Sequence, residues 1–62
     1  MSAPTIYTER QLWQDKSLSL VGHELIVFDL KNPTNEFILY GWDEVGMFTE
    51  DMAQPRYKLT PQ

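Results

Sequence analysis

The chain has no cysteine, one histidine and only three glycines among its 62 residues. Without cysteine, disulfide frameworks, thiol chemistry and cysteine-ligated zinc or iron–sulfur centres are excluded. The glycines (Gly22, Gly41 and Gly46) are scattered, so no glycine-rich phosphate loop can form. Basic residues are scarce as well: five Lys and Arg stand against nine Asp and Glu, giving a net charge of -4 and a pI near 4.6. Dedicated nucleic-acid binders and membrane-surface proteins need basic surface, so both classes are disfavoured. Long apolar runs are missing too. The longest strictly apolar stretches, residues 25–28 and 37–40, fall far short of the roughly 20 residues of a membrane span. No basic start followed by an apolar stretch opens the chain, so a cytoplasmic protein without a signal peptide is the expectation.

What is present is a globular composition, 42% hydrophobic and 13% aromatic. Residues 1–62 read as one small domain, with residues 1–5 and 60–62 expected to fray. A chain of this length buries only about 60% of the surface its unfolded form exposes. Its core is thin, and neither disulfide nor metal is there to reinforce it.

The firmest local signal is Asn32-Pro33-Thr34-Asn35 between two β-rich runs, residues 24–30 and 36–42. Proline presets a turn angle and asparagine bonds back to the backbone, so this segment predicts a hairpin. The matching register sets Leu30 against Ile38, Phe28 against Tyr40 and Ile26 against Trp42. Upstream, Gly22-His23 reads as a second turn that would place Leu20 against Leu25, Leu18 against Val27 and Lys16 against Asp29. Thr8-Glu9-Arg10-Gln11 has the capping-box pattern and predicts a short helix over residues 8–14 carrying Leu12 and Trp13. Residues 42–52 fit helical spacing and strand alternation equally, and residues 56–59 read as a terminal strand with Tyr57 and Leu59 on one face. The expected fold is mainly β (a small α+β arrangement at most): an antiparallel meander of three to four strands with one short N-terminal helix.

That register gives the sheet two apolar faces. One is aliphatic (Leu18, Leu20, Leu25, Val27, Phe37, Leu39) and reads as core, while the other carries Ile26, Phe28, Leu30, Ile38, Tyr40 and Trp42. Barely enough chain remains to cover one of them.

Catalytic signals are weak. Ser19 and His23 are the only nucleophile and base close in sequence, and no motif surrounds them. The carboxylate pairs Asp43-Glu44 and Glu50-Asp51 lack the spacing of a calcium loop and read as a solvated acidic face. No catalytic residue, metal ligand or cofactor is expected.

The placement of charge is more informative than its sum. Residues 17–55 hold seven acids and one base, Lys31, a net of −6, while the terminal segments carry +2. With aromatic residues beside it, this acidic stretch resembles an interface: Trp and Tyr at the centre, polar groups at the rim, and a field that steers a basic partner. The expected function is a non-enzymatic protein-binding module, an accessory subunit, inhibitor or regulator of a larger protein with a basic surface. Its contact residues would be Phe28, Tyr40, Trp42, Asp43, Glu44, Glu50 and Asp51. The alternative is structural self-association, as a homodimer or higher oligomer, through the aromatic face. A single-stranded nucleic-acid binder ranks below both, because the sheet is the acidic region.

Overall fold

The computed structural model of the chain describes residues 4–15 and 19–61. In chain order the elements are β1 (Thr5–Tyr7), α1 (Glu9–Gln14), β2 (His23–Asp29), β3 (Asn32–Leu39), a single 3-10 turn at Trp42–Glu44, and β4 (Pro55–Pro61). The four strands make one sheet in the order β1-β4-β2-β3, with antiparallel pairing throughout. The expected class therefore holds: mainly antiparallel β with one short N-terminal helix.

Helix α1 forms where the capping box places it. Thr8 Oγ1 accepts from the Gln11 backbone N–H at 3.2 Å, and Gln11 Oε1 accepts from the Thr8 N–H at 3.1 Å. A six-residue helix is unstable alone. Docking of the fully buried Leu12 into the core holds it in place. Leu12 joins Leu25, Val27, Leu39, Met52, Tyr57 and Leu59 in the hydrophobic cluster, against which Tyr7, Leu20, Trp42 and Val45 pack.

Strand β2 is the most buried strand, paired along its whole length with β4 on one side and along most of it with β3 on the other. Its Leu25 and Val27 face the core beside Leu59 and Tyr57 of β4 and Leu39 and Phe37 of β3. Of the aliphatic face read from the sequence, Leu25, Val27 and Leu39 lie in the core and Leu20 packs on it, whereas Phe37 is exposed on the same side and Leu18 lies outside the described residues. The register, however, differs: Phe28 faces Glu36 and Ile26 faces Ile38, rather than Tyr40 and Trp42. The displacement is four residues in the partner strand, an even number, so every side chain keeps its face.

The cause lies at Asp29. Its carboxylate accepts the Lys31 N–H at 3.0 Å and closes a tight turn at residues 30–31, so that Asp29 pairs with Asn32. The Asn-Pro-Thr-Asn segment still interrupts the ladder, but as a bulge: residues 33–35 fall between the Asn32 and Glu36 pairings. A proline and a bulge suit β3, which is an edge strand.

Among the described residues no upstream strand joins the sheet. Lys16 and Leu18 lie outside the described residues, Ser19 and Leu20 belong to no strand, and β4 occupies the expected place beside β2. The expected Lys16–Asp29 pairing thus falls outside the described residues, and the partner of Asp29 on β4 is Pro55. The turn sits one residue earlier than expected, with the His23 N–H donating to the Leu20 carbonyl at 3.1 Å and Gly22 at φ +76°. Residues 42–52 are neither helix nor strand beyond the 3-10 turn. At the termini Thr5 pairs with Leu59, while Thr60 and Pro61 pair with Glu24 and His23, so these residues of the segments expected to fray lie in the sheet.

Asp29 also accepts from the Ala53 and Gln54 N–H groups at 3.2 and 3.1 Å. Burial pushes its carboxyl pKa up, but these three backbone bonds and the Lys31 charge outweigh that and hold it below the ordinary 3.8. A carboxyl depressed in the folded state stabilises the fold above its unfolded value, and that stability is lost as pH falls through the folded value. The thermal midpoint is expected to drop as pH falls below the ordinary carboxyl value of 3.8. Asp29→Asn should lower the neutral-pH midpoint and flatten that acid slope, as followed by circular dichroism melts.

Candidate functional site

The sheet has two unlike sides. Helix α1 and residues 40–54 pack on the core side through Leu12, Trp42, Val45 and Met52. On the other side two cross-strand rows are open. One runs Ile6, Lys58, Ile26, Ile38, and the next runs Arg56, Phe28, Glu36. Ile26 is buried at the centre but is not part of the core cluster, whereas Ile6 and Ile38 are 47% and 48% exposed. Lys58 Nζ lies 6.0 Å from the Phe28 ring centroid, a cation–π contact on the open side.

The sequence-predicted contact residues are divided between these sides. Phe28 lies on the open face, and Tyr40, just past β3, is 86% exposed. Trp42 is not on the sheet face with them. It sits in the 3-10 turn, packs on the core and stacks against Trp13 with centroids 4.9 Å apart. The aromatic sheet face inferred from the sequence thus loses Trp42, because β3 ends at Leu39 and the chain turns over the core side. Asp43 and Glu44 share that turn, and Glu50 and Asp51 follow in the same segment.

Residues 40–54 form a 15-residue segment with four acids and no base. Side chains tie its backbone at several places. Glu44 accepts the Tyr40 N–H, the Tyr57 hydroxyl accepts the Gly46 N–H at 2.9 Å, and Asp29 holds Ala53 and Gln54. The backbone favours glycine at position 46. Its φ of +88° is a left-handed conformation, and a Cβ would lie 3.2 Å from Glu9 Oε1. Between the ties the segment presents apolar surface. Met47 is 65% exposed, and Phe48 stacks on Phe37 at 5.2 Å on the surface. Trp13, half exposed, extends the same side through its stack on Trp42.

Trp13, Phe37, Met47 and Phe48 were not among the contact residues read from the sequence. Trp13 and Phe37 looked like cover and core, and nothing local marks their pairing with Trp42 and Phe48, which are distant in sequence.

Ser19 Oγ accepts the Val21 N–H, and His23 Nδ1 lies 3.1 Å from the Val21 carbonyl, so both serve the turn. Among the described residues no three His, Asp or Glu side chains gather to hold a metal ion. A hollow of about 180 Å³ is lined by His23, Glu24, Ile38 and Tyr40 among others. It is smaller than the roughly 300 Å³ at which small-molecule pockets begin. No helix among the described residues is long and apolar enough to cross a membrane. Compared with protein-family models, characterised proteins and solved structures, the chain matches none.

The tie at Tyr57 is open to a direct test. Its hydroxyl donates to Glu9 Oε1 at 3.0 Å, and burial, then the Glu9 carboxylate, push its pKa up to about 12. A phenol raised in the folded state stabilises the fold below the unfolded value of 10.0, and that stability is lost as pH rises towards about 12. Tyr57→Phe should cost about 1 kcal/mol at neutral pH, the low end because water can reach Glu9 and Gly46. That corresponds to a midpoint lower by roughly 4–8 °C. The variant should also lessen the alkaline loss, the remainder belonging to Tyr7, whose phenol is raised by burial and by Asp15. An unchanged midpoint and alkaline profile would remove Tyr57 from this role.

Proposed function

We propose that the protein is a non-enzymatic binding module that docks on a larger protein with a basic surface, as an accessory subunit, inhibitor or regulator. The observation that carries this reading is the side-chain anchoring of residues 40–54. Segments of this length without regular structure are uncommon in compact domains and are usually functional or disordered. This one is fixed by Glu44, Tyr57 and Asp29, so it can bind without a large ordering cost.

Its chemistry suits protein recognition. Asp43, Glu50 and Asp51 are exposed and uncompensated within the segment, which favours fast approach of a basic partner. Met47 and the Phe37–Phe48 and Trp13–Trp42 stacks supply apolar contact area beside those charges. Glu44 contributes by shaping the turn through the Tyr40 N–H. Trp42, packed on the core, serves mainly as a support for Trp13.

The test is capture of a partner from lysate on the immobilised protein, followed across a salt gradient. Retention should fall steeply with salt and be lost in an Asp43→Lys/Glu50→Lys/Asp51→Lys variant whose melting curve stays cooperative. Trp13→Ala should weaken retention at all salt concentrations. A partner held equally well by the charge-reversed protein would overturn the assignment of this surface.

A further inference from the structure

The open sheet face differs in charge from the rest of the molecule. Its two acids, Glu24 and Glu36, are balanced by Arg56 and Lys58, although the protein as a whole carries -4. Two copies of this chain would repel each other through most of their surfaces, and approach through this face costs least.

The arrangement is also self-complementary. Glu36 and Arg56 flank Phe28 on opposite sides in a single cross-strand row. With strands about 4.8 Å apart, they stand roughly 10 Å from each other across β2. A two-fold axis along β2, between two facing sheets, carries β4 of one copy over β3 of the other. The partner's Arg56 then lies over Glu36, and the partner's Glu36 over Arg56. In the same operation Phe28 and Ile26 meet their own copies, and the Lys58 stem covers the partner's Ile38. Aligned sheets packed about 10 Å apart with a modest twist are the geometry of a β-sandwich.

We infer that the open sheet face is the self-association surface of a two-fold dimer, with reciprocal Glu36–Arg56 pairs flanking an Ile26–Phe28 centre. This rests on different residues from those proposed to dock on a larger protein. A standard interface takes about 800 Å² from each partner. That is under a fifth of the 4478 Å² surface. The same axis sets Glu24 against its own copy at the end of the sheet, a like-charge contact at the solvated rim.

Sedimentation equilibrium of the full chain between about 10 and about 200 μM tests this. The wild-type protein should be dimeric. Glu36→Arg and Arg56→Glu alone should each be monomeric or raise the dimer Kd at least about tenfold, because each sets like charges together. Their equimolar mixture should form a heterodimer, since the arginine introduced in one chain then meets the native arginine's replacement, a glutamate, in the other. Glu24→Gln should tighten the dimer. Ile38→Asp, at an exposed position, should dissociate it with a native far-UV spectrum, and it serves as the probe if Arg56→Glu fails to fold. A wild-type monomer throughout the range would overturn the inference. So would a dimer indifferent to Glu36→Arg or to Ile38→Asp, or a mixture of the two charge variants that stays monomeric. The Asp43→Lys/Glu50→Lys/Asp51→Lys protein should remain dimeric, which separates failure of this inference from failure of the docking surface.

Discussion

The Tyr57 phenol is the constraint on which the rest of the structure depends. Its ring is completely buried in the centre of the core, yet its hydroxyl needs polar partners. It finds them in two different parts of the chain, the Glu9 carboxylate on α1 and the Gly46 N–H in the covering segment. One side chain of β4 thereby positions the helix and the segment over the sheet at once. Gly46 is the counterpart of this arrangement, since its left-handed backbone angle favours glycine and a Cβ there would press on the Glu9 carboxylate that Tyr57 holds. Asp29 acts in the same way at the far end, tying the β2–β3 turn to the end of the same segment. Every buried side-chain nitrogen and oxygen among the described residues has a hydrogen-bond partner. In so thin a core a single unsatisfied group would cost an appreciable part of the total stability.

Size explains why the sheet has unlike sides. Among the described residues a six-residue helix, Leu20 and an irregular segment pack on the core, and helix and segment lie on the same side of the sheet. Strand β2 compensates in part, because a central strand buries Ile26 between neighbouring side chains without any covering layer. The two edges are handled differently. β1 is only three residues long, and β3 carries Pro33, a bulge and Glu36, features that oppose edge-to-edge aggregation. The apolar surface that remains is therefore concentrated on a face rather than along an edge.

Legibility in the sequence followed the range of the interactions involved. The capping box of α1 is local and was readable to the residue, as was the alternation that puts Tyr57 and Leu59 on one side of β4. Strand faces were readable because they depend only on parity, and the four-residue register difference left parity intact. The register itself was not readable. Asp29 selects the turn partly through Ala53 and Gln54, residues 24 and 25 positions away, and no local pattern reveals that link. The same reasoning applies to the order of strands, since β4 displaced a nearer segment from the side of β2 on the strength of long-range pairing. For the candidate site, the acids at 43, 44, 50 and 51 were evident as an acidic stretch. Their separation from Phe28, and the Trp13–Trp42 and Phe37–Phe48 stacks, emerge only once the chain has turned over the core.

Placing the two proposed surfaces on opposite sides of one sheet has a consequence for how they would work together. In a sandwich built on the open face, the core side of each copy points outward, and with it residues 40–54. Self-association would then leave the acidic segment free and present two of them from one particle, facing away from each other. A partner with two suitably spaced basic sites, or an assembly of repeated ones, would meet an effective concentration set by a rigid spacing rather than by a linker. The thin core and the acidic loop are then linked through architecture. Chain spent on covering one side anchors the loop there, and the other side is the one the inferred second copy would cover.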